Sequence, residues 1–215
     1  MTRYLIEFRF SGRAREYLEN LIYDISQKFQ VKGVTRKRPI PHISLAGPIT
    51  KDRLNRDDEK KLVKEVFDVV KKYDRVKFSL HGFGKFSKLY FFNRVVYAHV
   101  EPSEELNSMR REISQRLKNL GWKMQDHDYK HDFDFHATIA FKDINWKFDE
   151  IWKYVQKLET PIIDQTLLRV TIIKNKIILR EYDLMLRREL TRDQALDSHI
   201  KRQTINALRQ RKNFS

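Results

Sequence analysis

Two stretches of this 215-residue chain carry the same elements in the same order, and that repetition constrains the fold more than any other feature. Residues 3–10 alternate, with Tyr4, Ile6, Phe8 and Phe10 against Arg3, Leu5, Glu7 and Arg9, which predicts a strand buried on one face. From Ser11, a suitable N-cap, Leu18, Leu21, Ile22, Ile25 and Phe29 fall on one helical stripe. After a basic loop from Lys32 to Arg38, the segment Pro39-Ile40-Pro41-His42-Ile43-Ser44-Leu45-Ala46-Gly47-Pro48 predicts a short strand centred on His42 to Leu45, because its prolines exclude a helix. A helix over 58–73 and strands over 76–83 and 90–100, separated by 84–87, complete the first pass.

The second pass has a helix from Ser103 stopped by Gly121, a strand from Phe135 to Phe141, a helix from Phe148, and strands over 166–173 and 176–187. Ser11 and Ser103, His42 and His136, Asp58 and Phe148, and Val76 and Thr166 are each 90 to 94 residues apart. A near-constant offset predicts two topologically equivalent lobes. They are expected over about 1–88 with 176–190, and over 89–175, within one unit spanning 1–190. Residues 191–215 open with the capping-box pattern Thr191 to Gln194 and are expected to form a basic, largely exposed helical extension that frays at its end.

Each pass contains one His-x-hydroxyl strand, His42-Ile43-Ser44 and His136-Ala137-Thr138. Residues i and i+2 of a strand share a face about 6.6 Å apart, so each histidine points with its hydroxyl while the apolar neighbours point inward. If an approximate twofold relates the lobes, two imidazoles and two hydroxyls converge on one point, an arrangement that suits a phosphodiester. Its hydrolysis without a metal needs one base to take a proton from water and one acid to protonate the leaving oxygen. Two histidines, with ordinary pKa values near ~6.5, can divide those roles. Ser44 and Thr138 would donate hydrogen bonds to the non-bridging oxygens.

Charge names the class of partner. With 44 Lys+Arg against 29 Asp+Glu the chain carries +15, which expects a polyanion. Residues 31–38 (Lys32, Arg36, Lys37, Arg38) and 76–100 (Lys77, Lys85, Lys88, Arg94) contain no acid. Phe83, Phe86, Tyr90 and Phe91 lie among them, either as a stacking surface for single-stranded RNA or, the reading preferred for the aromatics, as sheet core with a wet lysine edge. Arg38 and Lys142, close to the motifs, are expected to touch substrate. The segment Asp126 to Asp134 holds metal-ligand residue types, with His127 and His131 at i, i+4, but that spacing serves a metal only on a helix and a solvated loop is preferred. Tyr129 within it is a candidate for stacking on a base. His81, His99 and His199 lack a hydroxyl at i+2 and receive no role. The absence of cysteine excludes a thiolate nucleophile and Cys-ligated metal sites. No apolar run approaches the ~20 residues of a membrane span and the first ten residues alternate charged with apolar, so a cytoplasmic protein, nuclear in a eukaryote, is expected.

On the motifs Pro41-His42-Ile43-Ser44-Leu45 and Phe135-His136-Ala137-Thr138-Ile139, and the closing strand Tyr182-Asp183-Leu184, the chain resembles the 2H phosphoesterases, nearest to their RNA 2′,3′-cyclic phosphodiesterase and 2′-5′ RNA ligase group. The resemblance covers residues 3 to 188. It implies an α+β fold, duplicated and bilobal, with two mainly antiparallel sheets flanked by helices around a central groove. It further implies His42 and His136 as catalytic base and acid, Ser44 and Thr138 as phosphate-binding residues, and neither metal nor cofactor. The implied partner is RNA with a 2′,3′-cyclic phosphate terminus or a related nucleotide, opened by a monomer to a 2′-phosphate. Ser44 stands where threonine is commoner, and Asp134-Phe135 precedes the second histidine where proline is frequent; these departures leave the subgroup open. The same four residues would serve linear 2′-5′ or 3′-terminal linkages or the reverse ligation, and a non-catalytic RNA-end binder would keep the fold and charge.

Overall fold

The computed structural model describes residues 2–32, 40–87 and 94–212. In chain order they form β1 (Tyr4–Arg9), α1 (Gly12–Phe29), β2 (His42–Ile49), α2 (Arg56–Val70), β3 (Lys77–Phe86), β4 (Val95–Pro102), α3 (Glu104–Asn119), a 3₁₀ turn (Asp126–Tyr129), β5 (His136–Phe141), α4 (Phe148–Val155), β6 (Ile162–Thr166), β7 (Arg169–Lys174), β8 (Ile177–Asp183), β9 (Arg188–Leu190), α5 (Arg192–Leu196) and α6 (Ser198–Lys212). Local chemistry explains several boundaries. The Ser103 hydroxyl accepts the Leu106 N–H at 3.3 Å and starts α3, and Gly121, at φ +75°, turns the chain out of it. Asn55 and Asp58 cap α2 reciprocally, as Thr191 and Gln194 cap α5.

The strands make two antiparallel sheets, β2-β1-β7-β8-β9 and β5-β4-β3-β6, so the fold is α+β and bilobal. Their first three strands correspond: β2 with β5, β1 with β4, and β7 with β3. This corrects the expected lobe boundaries. β3, expected in the first lobe, hydrogen-bonds to β4 and β6, whereas β7, expected in the second, hydrogen-bonds to β1. β3 of the first half is therefore placed in the second sheet and β7 of the second half in the first, and β4 opens the second half rather than closing the first. The apolar faces of both sheets and the inward stripes of α1 to α4 share one core, including Phe8, Leu18, Ile22, Ile43, Leu45, Leu106, Met109, Ala137 and Ile139. That common core holds the halves together without a linker-like boundary.

Three further differences have local causes. The strand expected over 166–173 is two strands, because the buried Leu167 and Leu168 carry the chain from one sheet to the other. The strand expected over 176–187 ends at Asp183, whose carboxylate accepts the N–H groups of Met185 and Leu186 and so makes the turn into β9. β3 continues through the expected 84–87 loop to Phe86, after a register shift between Leu80 and Phe83 that accommodates Gly82 at φ +82°. The C-terminal extension is helical, but one face is docked. Ala195 and Ile200 join Leu5, Ile173, Ile178 and Leu190 in a second, smaller core. The Thr204 hydroxyl donates to Asp183 at 2.5 Å and accepts from Arg169, and Arg211 pairs with Asp74. Among the described residues no helix is long and apolar enough to cross a membrane.

Candidate active site

β2 and β5 are the outermost strands at corresponding edges of the two sheets, and they pack against each other. α1 contacts β5 and α3 contacts β2, so each half's helix braces the other half's motif strand. Along β2, Ile43 and Leu45 are fully buried while His42 and Ser44 are half-buried; along β5, Ala137 and Ile139 are buried while His136 and Thr138 are half-buried. The period of two thus puts each histidine and its hydroxyl on the side of the strand away from the core.

Both imidazoles are anchored alike. His42 Nδ1 lies 2.9 Å from the Ile40 carbonyl and His136 Nδ1 lies 2.8 Å from the Asp134 carbonyl, in each case two residues back. A carbonyl only accepts, so Nδ1 carries the proton and Nε2 of the neutral ring is left with its lone pair. The surroundings then diverge. His136 lies between Phe86, edge-on at 5.1 Å, and Tyr97, tilted at 5.1 Å. Its burial there holds its pKa below the ordinary 6.5, and positive charge on His127 and His42 acts in the same direction, against the Asp134 carbonyl and carboxylate. His42 instead has a carboxylate neighbour: Glu7 Oε2 is 3.8 Å from its Nε2, while Glu7 Oε1 accepts from Arg9 at 2.6 Å.

The register explains these neighbours and brings in residues that the sequence did not single out. Glu7 stands opposite Ser44 and Arg9 opposite His42; Tyr97 stands opposite Thr138 and His99 opposite His136. His99, to which the sequence assigned nothing, is therefore the cross-strand partner of a motif histidine. Gly84 pairs with Tyr97, and a methyl group there would overlap the tyrosine ring, so the missing side chain lets Tyr97 lie across β3 and reach His136. On the other half a polar row crosses the sheet, Ser44, Glu7, Thr171 and Glu181 standing opposite one another in succession. Thr171 donates to Glu181 at 2.6 Å, and Arg169 joins Glu181 (3.0 Å) to Asp183 (2.8 Å).

The remaining expected residues lie elsewhere. Arg36, Lys37, Arg38, Lys88, Tyr90 and Phe91 fall outside the described residues. Lys142 is exposed just after β5, its ammonium 5.8 Å from the Phe141 ring centre. Tyr129 closes the 3₁₀ turn, 46% exposed, with Lys118 above its ring at 5.3 Å. Lys85 and Arg94 lie over Trp152 and Phe148 of α4 at 5.1 and 5.0 Å, and Phe86 flanks His136 instead of filling the core. His127 belongs to the 3₁₀ turn and His131 lies beyond it, where its Nε2 faces Arg111 at 2.8 Å, so the two do not share a helix. Among the described residues no three His, Asp or Glu side chains converge as a metal site.

A family model described as the 2′-5′ RNA ligase superfamily matches residues 18–175, which includes both His-x-hydroxyl strands. The chain belongs to that superfamily. Solved structures agree on the fold. A crystal structure of a phosphoesterase is 11% identical, covering 85% of this chain and 97% of its own at a TM-score of 0.50. Escherichia coli LigT in its apo form is 12% identical, covering 85% and 98%, with a TM-score of 0.50. Kluyveromyces marxianus Usb1 with uridine monophosphate is 8% identical, covering 82% and 95%, with a TM-score of 0.51. No curated protein sequence matches the chain. As a member of the 2′-5′ RNA ligase superfamily the protein is a 2H phosphoesterase-type enzyme, with phosphodiesterase or RNA ligase-like activity.

Proposed function

We propose that this superfamily member hydrolyses 2′,3′-cyclic phosphate ends of RNA to 2′-phosphates, with His42 and His136 as its acid–base pair and no metal in the reaction. The observation that carries this reading is the matched anchoring of the two imidazoles, each donating Nδ1–H to a carbonyl and leaving Nε2 to act, on strands that pack together. The asymmetry around the rings supports a division of the roles. Burial favours unprotonated His136, so its Nε2 takes the proton of the attacking water as the new P–O bond forms. His42, ion-paired with Glu7 whenever it carries its second proton, gives that proton to the 3′ oxygen as the P–O3′ bond breaks. Exchange with solvent then resets both rings. The hydroxyls of Ser44 and Thr138 donate to the non-bridging oxygens, where negative charge sits in the transition state. The net charge of +15 supports an RNA partner, as does the uridine monophosphate carried by Usb1 in its structure.

A substrate panel tests the reading. RNA ending in a 2′,3′-cyclic phosphate should be converted to a 2′-phosphate product, with linear 2′-5′ and 3′-hydroxyl RNAs turned over far more slowly. Preferential cleavage of a linear substrate would replace this reaction by the linear one on the same residues, and salt-sensitive binding without turnover would make the protein an RNA-end binder.

The division of roles makes a pH prediction. The base must be unprotonated, and because the His136 pKa is held below 6.5, the loss of activity on the acidic side comes as the pH falls through that lowered value. The acidic limb of kcat/KM is therefore expected below pH 6.5, the ordinary histidine value. An acidic limb at or above that value would reverse the assignment of acid and base.

A further inference from the structure

Between α3 and the 3₁₀ turn lies a cavity of about 230 Å³ in whose wall none of His42, Ser44, His136 and Thr138 takes part. Two of its lining side chains are buried with a polar atom that has no partner: Arg110, 1% exposed, through Nε, and Ser114, 5% exposed, through Oγ. The rest of the Arg110 guanidinium is fixed. It donates to the carbonyls of Asp128 (3.0 Å) and Lys130 (2.6 Å) and lies 4.4 Å above the Phe133 ring. Of its three nitrogens Nε alone has no hydrogen-bond partner among the described residues, and a buried N–H donor without an acceptor is costly unless something enters to accept from it. Lys118 and Lys130 line the same cavity from exposed positions, and neither pairs with a carboxylate among the described residues. Arg111 is already engaged by Glu104 at 2.5 Å. The wall has one acid, Asp128, whose oxygens accept from the N–H groups of Gly47 (3.3 Å) and Gln125 (3.2 Å).

The guest that fits must therefore be an anion offering several acceptor oxygens in different directions: one for Arg110 Nε–H, one for Ser114, and others for two ammonium groups. A tetrahedral phosphate has this shape and charge, whereas a planar carboxylate has only two oxygens. The exposed ring of Tyr129 beside the cavity adds a surface on which a base can stack. We infer that this pocket is a nucleotide-phosphate site separate from the histidine pair, holding the phosphate between Arg110, Ser114, Lys118 and Lys130. The phosphate can belong to a free mononucleotide or to a nucleotide unit within an RNA strand.

The Arg110 Nε–H resonance in ¹H–¹⁵N spectra reports directly on the unpartnered atom. Titration of the full-length protein with inorganic phosphate, a nucleoside 5′-monophosphate and a 3′-hydroxyl RNA oligonucleotide should move it saturably for at least one probe. Saturation by the mononucleotide identifies a free ligand, and saturation by the oligonucleotide alone identifies a strand phosphate. The exposed double variant Lys118→Glu/Lys130→Glu should weaken that binding about tenfold or more, the scale of a lost charged hydrogen bond. His42→Ala/His136→Ala should leave it unchanged, so failure of the catalytic reading and failure of this one are separable. No saturable shift with any probe, or binding lost in the histidine variant and kept in the lysine variant, would overturn the site.

Discussion

Alanine at His136 is expected to lower kcat on cyclic-ended RNA by about 10²–10⁴-fold, and alanine at His42 by a similar factor, because each removes one of two proton transfers. The double variant should lose little more than the worse single one, since the two groups act in one transition state. Steady-state kinetics with an unchanged circular dichroism spectrum checks this, and near-native turnover in either single variant would remove that residue from the chemistry. The hydroxyls make a finer test. Ser44→Ala and Thr138→Val each remove one donor to the phosphoryl oxygens and should cost about 10²–10³-fold in kcat. Both hydroxyls lie on the same strand side as their histidine, so the losses should fall on kcat more than on the stability of the apolar face behind them.

The largest effect on stability is expected outside the four motif residues, at Asp183. Its carboxylate is fully buried and accepts from Arg169 at 2.8 Å, Thr204 at 2.5 Å, Met185 at 3.0 Å and Leu186 at 2.9 Å. Asp183→Ala leaves the Arg169 guanidinium without one of its two carboxylates and strips the β8–β9 turn and α6 of a common anchor, so it should cost about 3–5 kcal/mol of unfolding free energy. Asp183→Asn keeps the shape and part of the hydrogen bonding and should cost less. Urea denaturation of the three proteins reads both effects, and an alanine variant within about 1 kcal/mol of the native protein would show that the buried ion pair adds no net stability. Arg169 also bonds the backbone of Ile200 at 3.2 Å, so α6 is expected to gain proteolytic sensitivity in the alanine variant.

How much of this was legible beforehand depended on the kind of signal. The motif strands were, because alternation over Ile43 and Leu45 or Ala137 and Ile139 fixes which way His42, Ser44, His136 and Thr138 face. The matched spacing of the two halves was legible too. The exchange of β3 and β7 was not, since pairing partners are chosen by long-range register and not by the composition of either strand. Glu7 and Thr171 look in the sequence like the wet side of an amphipathic strand. They are in fact 4% and 1% exposed, part of a row that runs toward the region covered by α5 and α6. The aromatic enclosure of His136 was hidden for a related reason: Phe86 follows an apparent Gly84 breaker, and only the cross-strand position of Tyr97 shows that the glycine makes room. The sequence assigned Arg110 nothing, although it stands on the apolar stripe of α3 between Leu106 and Ile113; the carbonyls that accept from it belong to Asp128 and Lys130, beyond the helix.

The exchange of β3 and β7 between the sheets has a topological consequence. Cut between its two repeats, the chain yields a first half that lacks β7, β8 and β9 of its sheet and carries β3 of the other, and a second half that lacks β3 and carries those three. Neither can complete its hydrogen-bond ladder alone, yet the two are complementary, which is the logic of a domain swap carried out within a single polypeptide. The arrangement makes the protein a natural candidate for splitting into two fragments that regain a common core only when they meet.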